Sequence, residues 1–273
     1  MDWKAFLEFV ERGGPSSRQR LVDWDARRRK MTPGWDGYRK GFEAMSHECL
    51  FRLRPSDVLD VFRKTEHALA QLRPEHEKFE RIESWSPPVP FMYVFHLLLE
   101  EMGRVPMWQD AKAFVLSEAR LDLVWRPFLK TYGLTPDMPD VSWENPYFKA
   151  IMYRIGKVYY SWLREVHMLT ELRCTYGIDA RYHFLIDAEW KADVFAGDVL
   201  LEIFIVHPKY KDKDDKGRKE LCRHANPLAN VHQVKITPRS VYGRPWLVDA
   251  SDIKAMARLM KEEGAPLLFE AAV

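Results

Sequence analysis

Residues 190–206, WKADVFAGDVLLEIFIV, decide the fold. Two runs rich in Val, Ile, Leu and Phe flank Ala196-Gly197-Asp198, which predicts a strand, a tight turn and a buried strand. Each run carries one carboxylate among apolar neighbours, Asp193 in the first and Glu202 in the second. An ionised carboxylate in an apolar strand is costly unless a cation pairs with it or binds it. Outward-facing positions of an antiparallel hairpin would remove that cost. Glu202 argues against this, because Val199–Leu201 and Ile203–Val206 are apolar on both faces of the strand.

Upstream, Tyr182–Ile186 (YHFLI) predicts a further strand. Before it, Phe148, Ile151, Met152, Ile155, Tyr159, Trp162, Val166, Leu169 and Leu172 trace one apolar face of a helix from about Tyr147 to Leu172, with Gly177 as a stop signal. Downstream come the charged segment HPKYKDKDDKGRKE, a helix-like Arg218–His224, a strand at Val231–Ile236, a short strand at Trp246–Val248 and a last helix from Ser251-Asp252. The second half thus reads helix, strand, strand, strand, helix, strand, an α/β domain over 146–273 with a mixed sheet flanked by helices. The Pro-rich stretch Thr135–Pro146 (TPDMPDVSWENP) marks its boundary.

The first half, 1–145, reads as helical. Trp3, Phe6, Leu7 and Val10 predict an amphipathic helix stopped by Gly13-Gly14-Pro15, and Pro55-Ser56-Asp57 starts a stripe running through Val58, Leu59, Phe62, Leu69 and Leu72. Phe91–Met102 and Met107–Ala119, joined by a Gly-containing turn, have the outline of a helix-turn-helix, an outline that any helical hairpin shares. Arg27, Arg28, Arg29 and Lys30, with Trp24, Trp35 and Tyr38 interleaved, suit either a phosphate-neutralising patch or a solvated helix face.

A net charge of +2 argues neither for nor against a nucleic-acid partner, so local patches decide. Cys49, Cys174 and Cys222 are odd in number and widely spaced, which fits a reducing, cytoplasmic setting. Acidic residues interrupt the apolar N-terminus, and no run of about 18 apolar residues occurs, so neither a secretory signal nor a membrane span is expected. Phosphate-loop, dinucleotide, serine-hydrolase and HExxH motifs are absent.

The order of elements, with an acid on the second strand and another on the third, resembles the PD-(D/E)XK or restriction-endonuclease-like nuclease superfamily. The resemblance implies an α-β-β-β-α-β core in which Asp193, Glu202 and the carbonyl of Ile203 hold Mg²⁺ or Mn²⁺, with Glu165 on the preceding helix as an auxiliary acid. Such a cation activates water and stabilises the charge of a pentavalent phosphate. A lysine usually stands two residues after the second acid, where this chain has Phe204. LEIFIVHPKYKDKDDKGRKEL is similar to a CoiA-like or TnsA-like branch in which that lysine is displaced beyond the strand, which implies Lys216 in its role, Lys213 or Lys191 as substitutes, and His207 as an auxiliary residue. The implied activity is metal-dependent endonucleolytic cleavage of DNA in a mobile-element, antiviral defence or recombination system. The alternative is a catalytically inactive DNA-binding or assembly subunit of a larger complex, favoured by Phe204 and by the abundance of exposed-looking tryptophans.

Overall fold

The computed structural model describes residues 3–134, 142–205, 222–223, 226–236 and 246–269. Its axis is the helix Pro146–Cys174 (α10). Asn145 caps it by accepting from the Tyr147 and Phe148 N–H groups at 2.9 and 3.4 Å, and Pro146 occupies the first turn, where a missing N–H costs nothing. From Trp162 to Leu172 nearly every side chain is buried, including Arg164, Glu165, His167 and Thr170. A helix buried on all sides lies inside its domain rather than on a face of it.

The first half supplies Trp3–Arg12 (α1), Gly14–Met31 (α2), Trp35–Glu43 (α3), Glu48–Arg52 (α4), Pro55–Lys64 (α5), Pro74–Glu77 (α6), Phe91–Met102 (α7), Trp108–Leu116 (α8) and Trp125–Thr131 (α9). The expected Pro55-to-Leu72 helix ends at Lys64, and Leu69 and Leu72 reach the core from turns instead. There α10 comes so near that a Cβ on Gly156 would meet Leu69 Cδ2 at 2.7 Å. Two residues earlier and on another face of α10, Arg154 donates to the Ile82 and Trp85 carbonyls at 2.6 and 2.7 Å. α10 begins at the expected boundary and packs both on α5, α6 and α7 and on the elements after it.

The chain is mixed α/β and mostly helical, with a small sheet. Val194–Ala196 (β1) pairs antiparallel with Val199–Ile205 (β2), and Asn230–Ile236 (β3) pairs parallel with β2, in the order β1-β2-β3. Gly197 takes φ 59° at the first position of the two-residue turn, a left-handed conformation suited to glycine. The last described helix is Ala250–Glu262 (α11).

Two expected strands are not formed. Trp246–Val248 carries no regular structure. Tyr182–Ile186 enters a helical turn, with the Ile186 and Asp187 N–H groups both donating to the His183 carbonyl, and continues as a π-helix over Ile186–Trp190. The spacing of Tyr182, Leu185, Ile186 and Trp190 explains this, since it is the i, i+3, i+4, i+8 pattern of a helix face. Just before this segment, Arg181 pairs with β1 through an isolated bridge to Phe195. No described helix is long and apolar enough to cross a membrane.

Candidate metal centre

The π-helix sets the geometry. Its widened turn closes with the Lys191 N–H donating to the Ile186 carbonyl, a bond spanning five residues, and Lys191 then leaves it at φ 59°. The basic stretch of α2 grips it from outside. Ser17 Oγ accepts from Trp190 Nε1 at 2.7 Å, Arg20 donates to the Glu189 carbonyl at 2.5 Å, and Arg27 pairs with the Glu189 carboxylate at 2.9 Å. Phe6 and Phe9 of α1 meet the Trp190 ring edge-on at 5.6 and 6.2 Å.

So held, Asp187 faces Asp193 just ahead of β1 and Glu165 on α10. Carboxylate oxygens of the three lie within 4.8 Å of one another. Asp193 is fixed twice, its N–H donating to the Leu201 carbonyl at 2.8 Å and its Oδ2 accepting from the Ile203 N–H at 2.5 Å. Glu165 is 2% exposed, and its Oε2 has no hydrogen-bond partner among the described residues. Burial, and then the charges of Asp187 and Asp193, push the Glu165 carboxyl well above the usual range against the opposing pull of Arg164. Burial and Asp187 raise Asp193 in the same way, with the Ile203 N–H opposing. Three carboxylates this close cannot all ionise unless a cation joins them. Hard oxygen donors, one with a lone pair left over in a buried site, suit Mg²⁺, Mn²⁺ or Ca²⁺.

A cavity of about 390 Å³ opens on the triad, lined also by Lys157, Ser161, Arg164, Glu202, Phe204 and Gln233. Glu202 stands on its wall, 2% exposed, with Oε2 accepting from Gln233 Nε2 at 3.0 Å. Gln233 is its partner in the parallel register, so both side chains leave the same face of the sheet. Arg164 is 7% exposed, and burial lowers its guanidinium to about 10 although Glu165 and Asp193 favour its charge. The Tyr182 hydroxyl, fully buried, is raised well above the usual phenol range by burial and by Glu165, Asp187 and Asp193.

Of the residues expected from sequence, Glu165, Asp193, Glu202 and Ile203 meet at this cavity. Lys216, Lys213 and His207 lie outside the described residues. Lys191 does not reach the site. It belongs to the helix terminus rather than to a strand, so strand alternation does not orient it, and its ammonium donates to the Ala188 carbonyl. Three of the four residues in the basic run Arg27–Lys30 are engaged within the protein: Arg27 with Glu189, Arg28 with the Pro87 carbonyl at 2.6 Å, and Arg29 with Asp36 at 2.6 Å. Asp187, Arg164 and Gln233 were not anticipated. The helical spacing of residues 182–190 would have exposed Asp187, because it turns the expected strand into a helix that presents an acid near Asp193.

No protein-family model, no curated protein and no solved structure matches this chain.

Proposed function

We propose that the chain is a divalent-metal-dependent nuclease that hydrolyses DNA phosphodiesters, on a restriction-endonuclease-like core in which α10, the π-helix and the hairpin of β1 and β2 together carry the site. The observation that carries this reading is the buried convergence of Glu165, Asp187 and Asp193 at a cavity, with one Glu165 oxygen unpartnered among the described residues. Such a donor set suits a hard cation, which would supply Lewis acidity to activate a water and positive charge to offset the negative charge on a phosphoryl oxygen. Asp187, Asp193 and Glu165 would hold it. Glu202, kept in place by Gln233, would serve as a further ligand or hold a proton at the attacking water. The helical half would hold the substrate.

Calorimetry with Mn²⁺ tests the centre: the wild type binds and Asp193→Ala does not. Equal binding, or none in either, removes the metal centre. Nicking of supercoiled plasmid in Mn²⁺ by the wild type and not by Glu202→Gln then tests the activity.

A second reading, a non-cutting DNA-binding or assembly subunit on the same fold, draws support from Phe204, which puts an aromatic ring on the cavity wall at the usual lysine position. Tryptophan content lends it none, since Trp24, Trp35, Trp85, Trp108, Trp125, Trp162 and Trp190 are all buried. Mn²⁺ binding without nicking would select this reading.

A further inference from the structure

The cavity has two walls of opposite character. The π-helix and the strands carry acids, whereas α10 contributes Lys157, Ser161 and Arg164 as well as Glu165. Spacings of four and three residues stack Lys157, Ser161 and Arg164 along one face of the helix, over about 10 Å at 1.5 Å per residue.

Arg164 is the unusual member. A guanidinium offers five N–H donors and no acceptor, and it is seldom buried without an anion using them. Here one nitrogen donates to Ser161 Oγ at 3.2 Å, while Nε has no partner among the described residues. Glu165 and Asp193 are near enough to favour its charge, yet no carboxylate among the described residues accepts from its Nε. Arg164 lines a cavity in which the carboxylates of the triad are turned towards one another. An oxyanion with several oxygens could accept from this fork while another of its oxygens meets a cation on the acidic wall. Phosphate has that form, and the planar fork of arginine matches it.

Resting on the metal-dependent reading above, we propose that Arg164 is the phosphate-binding residue of this cavity, gripping the phosphoryl group that lies at the acidic triad. Lys157, exposed at the rim and paired with Glu77, adds a contact to a neighbouring phosphate of the same strand. The ligand is thus a phosphodiester strand rather than a single phosphate.

The test is anisotropy of a short fluorescein-labelled oligothymidylate in Ca²⁺, with inorganic phosphate as competitor and Mn²⁺ calorimetry on the same proteins. Arg164→Gln weakens oligonucleotide binding about 10-fold or more and leaves Mn²⁺ affinity equal or higher. Lys157→Gln weakens the oligonucleotide about 3-fold without changing competition by inorganic phosphate. Wild-type oligonucleotide affinity in Arg164→Gln overturns the proposal and leaves Arg164 as a counter-ion of the triad. If Arg164→Gln loses its fold by circular dichroism, Arg164→Lys keeps the charge without the fork: a several-fold loss supports the proposal, and wild-type affinity overturns it. Failure of the wild type to bind Mn²⁺ strikes the metal-dependent reading alone, because the oligonucleotide measurement then reports on Arg164 separately.

Discussion

Two buried polar clusters lie on either side of Tyr182, and they are built on opposite principles. On one side Glu165, Asp187 and Asp193 crowd like charges around a cavity. On the other, His47, His96 and His183 cluster with Phe6, Phe184 and Tyr182, the His47 ring tilted against His96 at 4.1 Å and stacked on His183 at 5.3 Å between centroids. The acids are stable there only if something arrives to neutralise them, whereas imidazoles can be buried simply by staying neutral. Burial first, and then the neighbouring imidazoles, depress His47 and His183 well below the usual histidine range, and burial brings His96 to about 3. Burial alone therefore does not mark a functional site; a buried charge that its surroundings leave uncompensated is a stronger sign.

The contrast gives the two clusters opposite pH dependence. Each depressed histidine stabilises the fold above its unfolded value near 6.5 and loses that contribution as pH falls towards its folded value. For His96 the loss by about pH 3 is on the order of 4 kcal/mol, a large part of the stability of a typical domain. Urea midpoints followed from neutral to acid pH should fall steeply in the wild type and less steeply in His96→Met, where a side chain of similar volume keeps the packing and His47 and His183 remain. An unchanged slope in that variant would sink the account.

The acids run the other way. Glu165 and Asp193 are raised in the folded protein, so their contribution is complete below the unfolded carboxyl range and declines as pH rises through the window above about 4. Divalent cation should reverse the decline by binding the ionised folded state. Asp193→Ala should lose at least about 100-fold in Mn²⁺ affinity, roughly 2.7 kcal/mol, and with it the thermal stabilisation expected of the wild type in Mn²⁺. Glu165→Gln should raise the metal-free stability at pH 8 by about 1–2 kcal/mol, since an amide removes the buried charge, while weakening the cation. Stability unaffected by that change would mean that Glu165 is already neutral at pH 8.

Smallest of all, Lys191→Gly should alter stability by less than about 1 kcal/mol, because glycine relieves the left-handed φ of 59° but loosens the unfolded chain. It should leave Mn²⁺ binding intact. A loss of binding there would return Lys191 to the site.

Much of this arrangement was legible in the sequence. The long helix, the hairpin and β3 follow from periodicity, and Asp193 and Glu202 stand out because carboxylates within apolar runs require compensation. Asp187 was hidden by its context. YHFLI is apolar on every side, so a buried strand and a buried helix look alike over so few residues, and only spacing extended to Trp190 separates them. Arg164 was hidden too, since an Arg-Glu pair in a long helix usually marks a solvated face, and its burial depends on elements far away in the chain. The arginines of α2 carry a related lesson: Arg27 and Arg20 hold the turn that carries Asp187.

The turn at Ile186–Trp190 makes the centre depend on how many residues lie between its ligands as well as on which they are. A five-residue closure from Lys191 to Ile186 holds one residue more than an α-helical turn. Deleting Ala188 would leave every proposed ligand and every cavity-lining side chain in the chain, yet an α-helical turn rotates Asp187 by about 100° relative to Asp193 and the hairpin beyond it. The centre would be lost with its chemistry still written in full, a change of phase in the backbone rather than of composition.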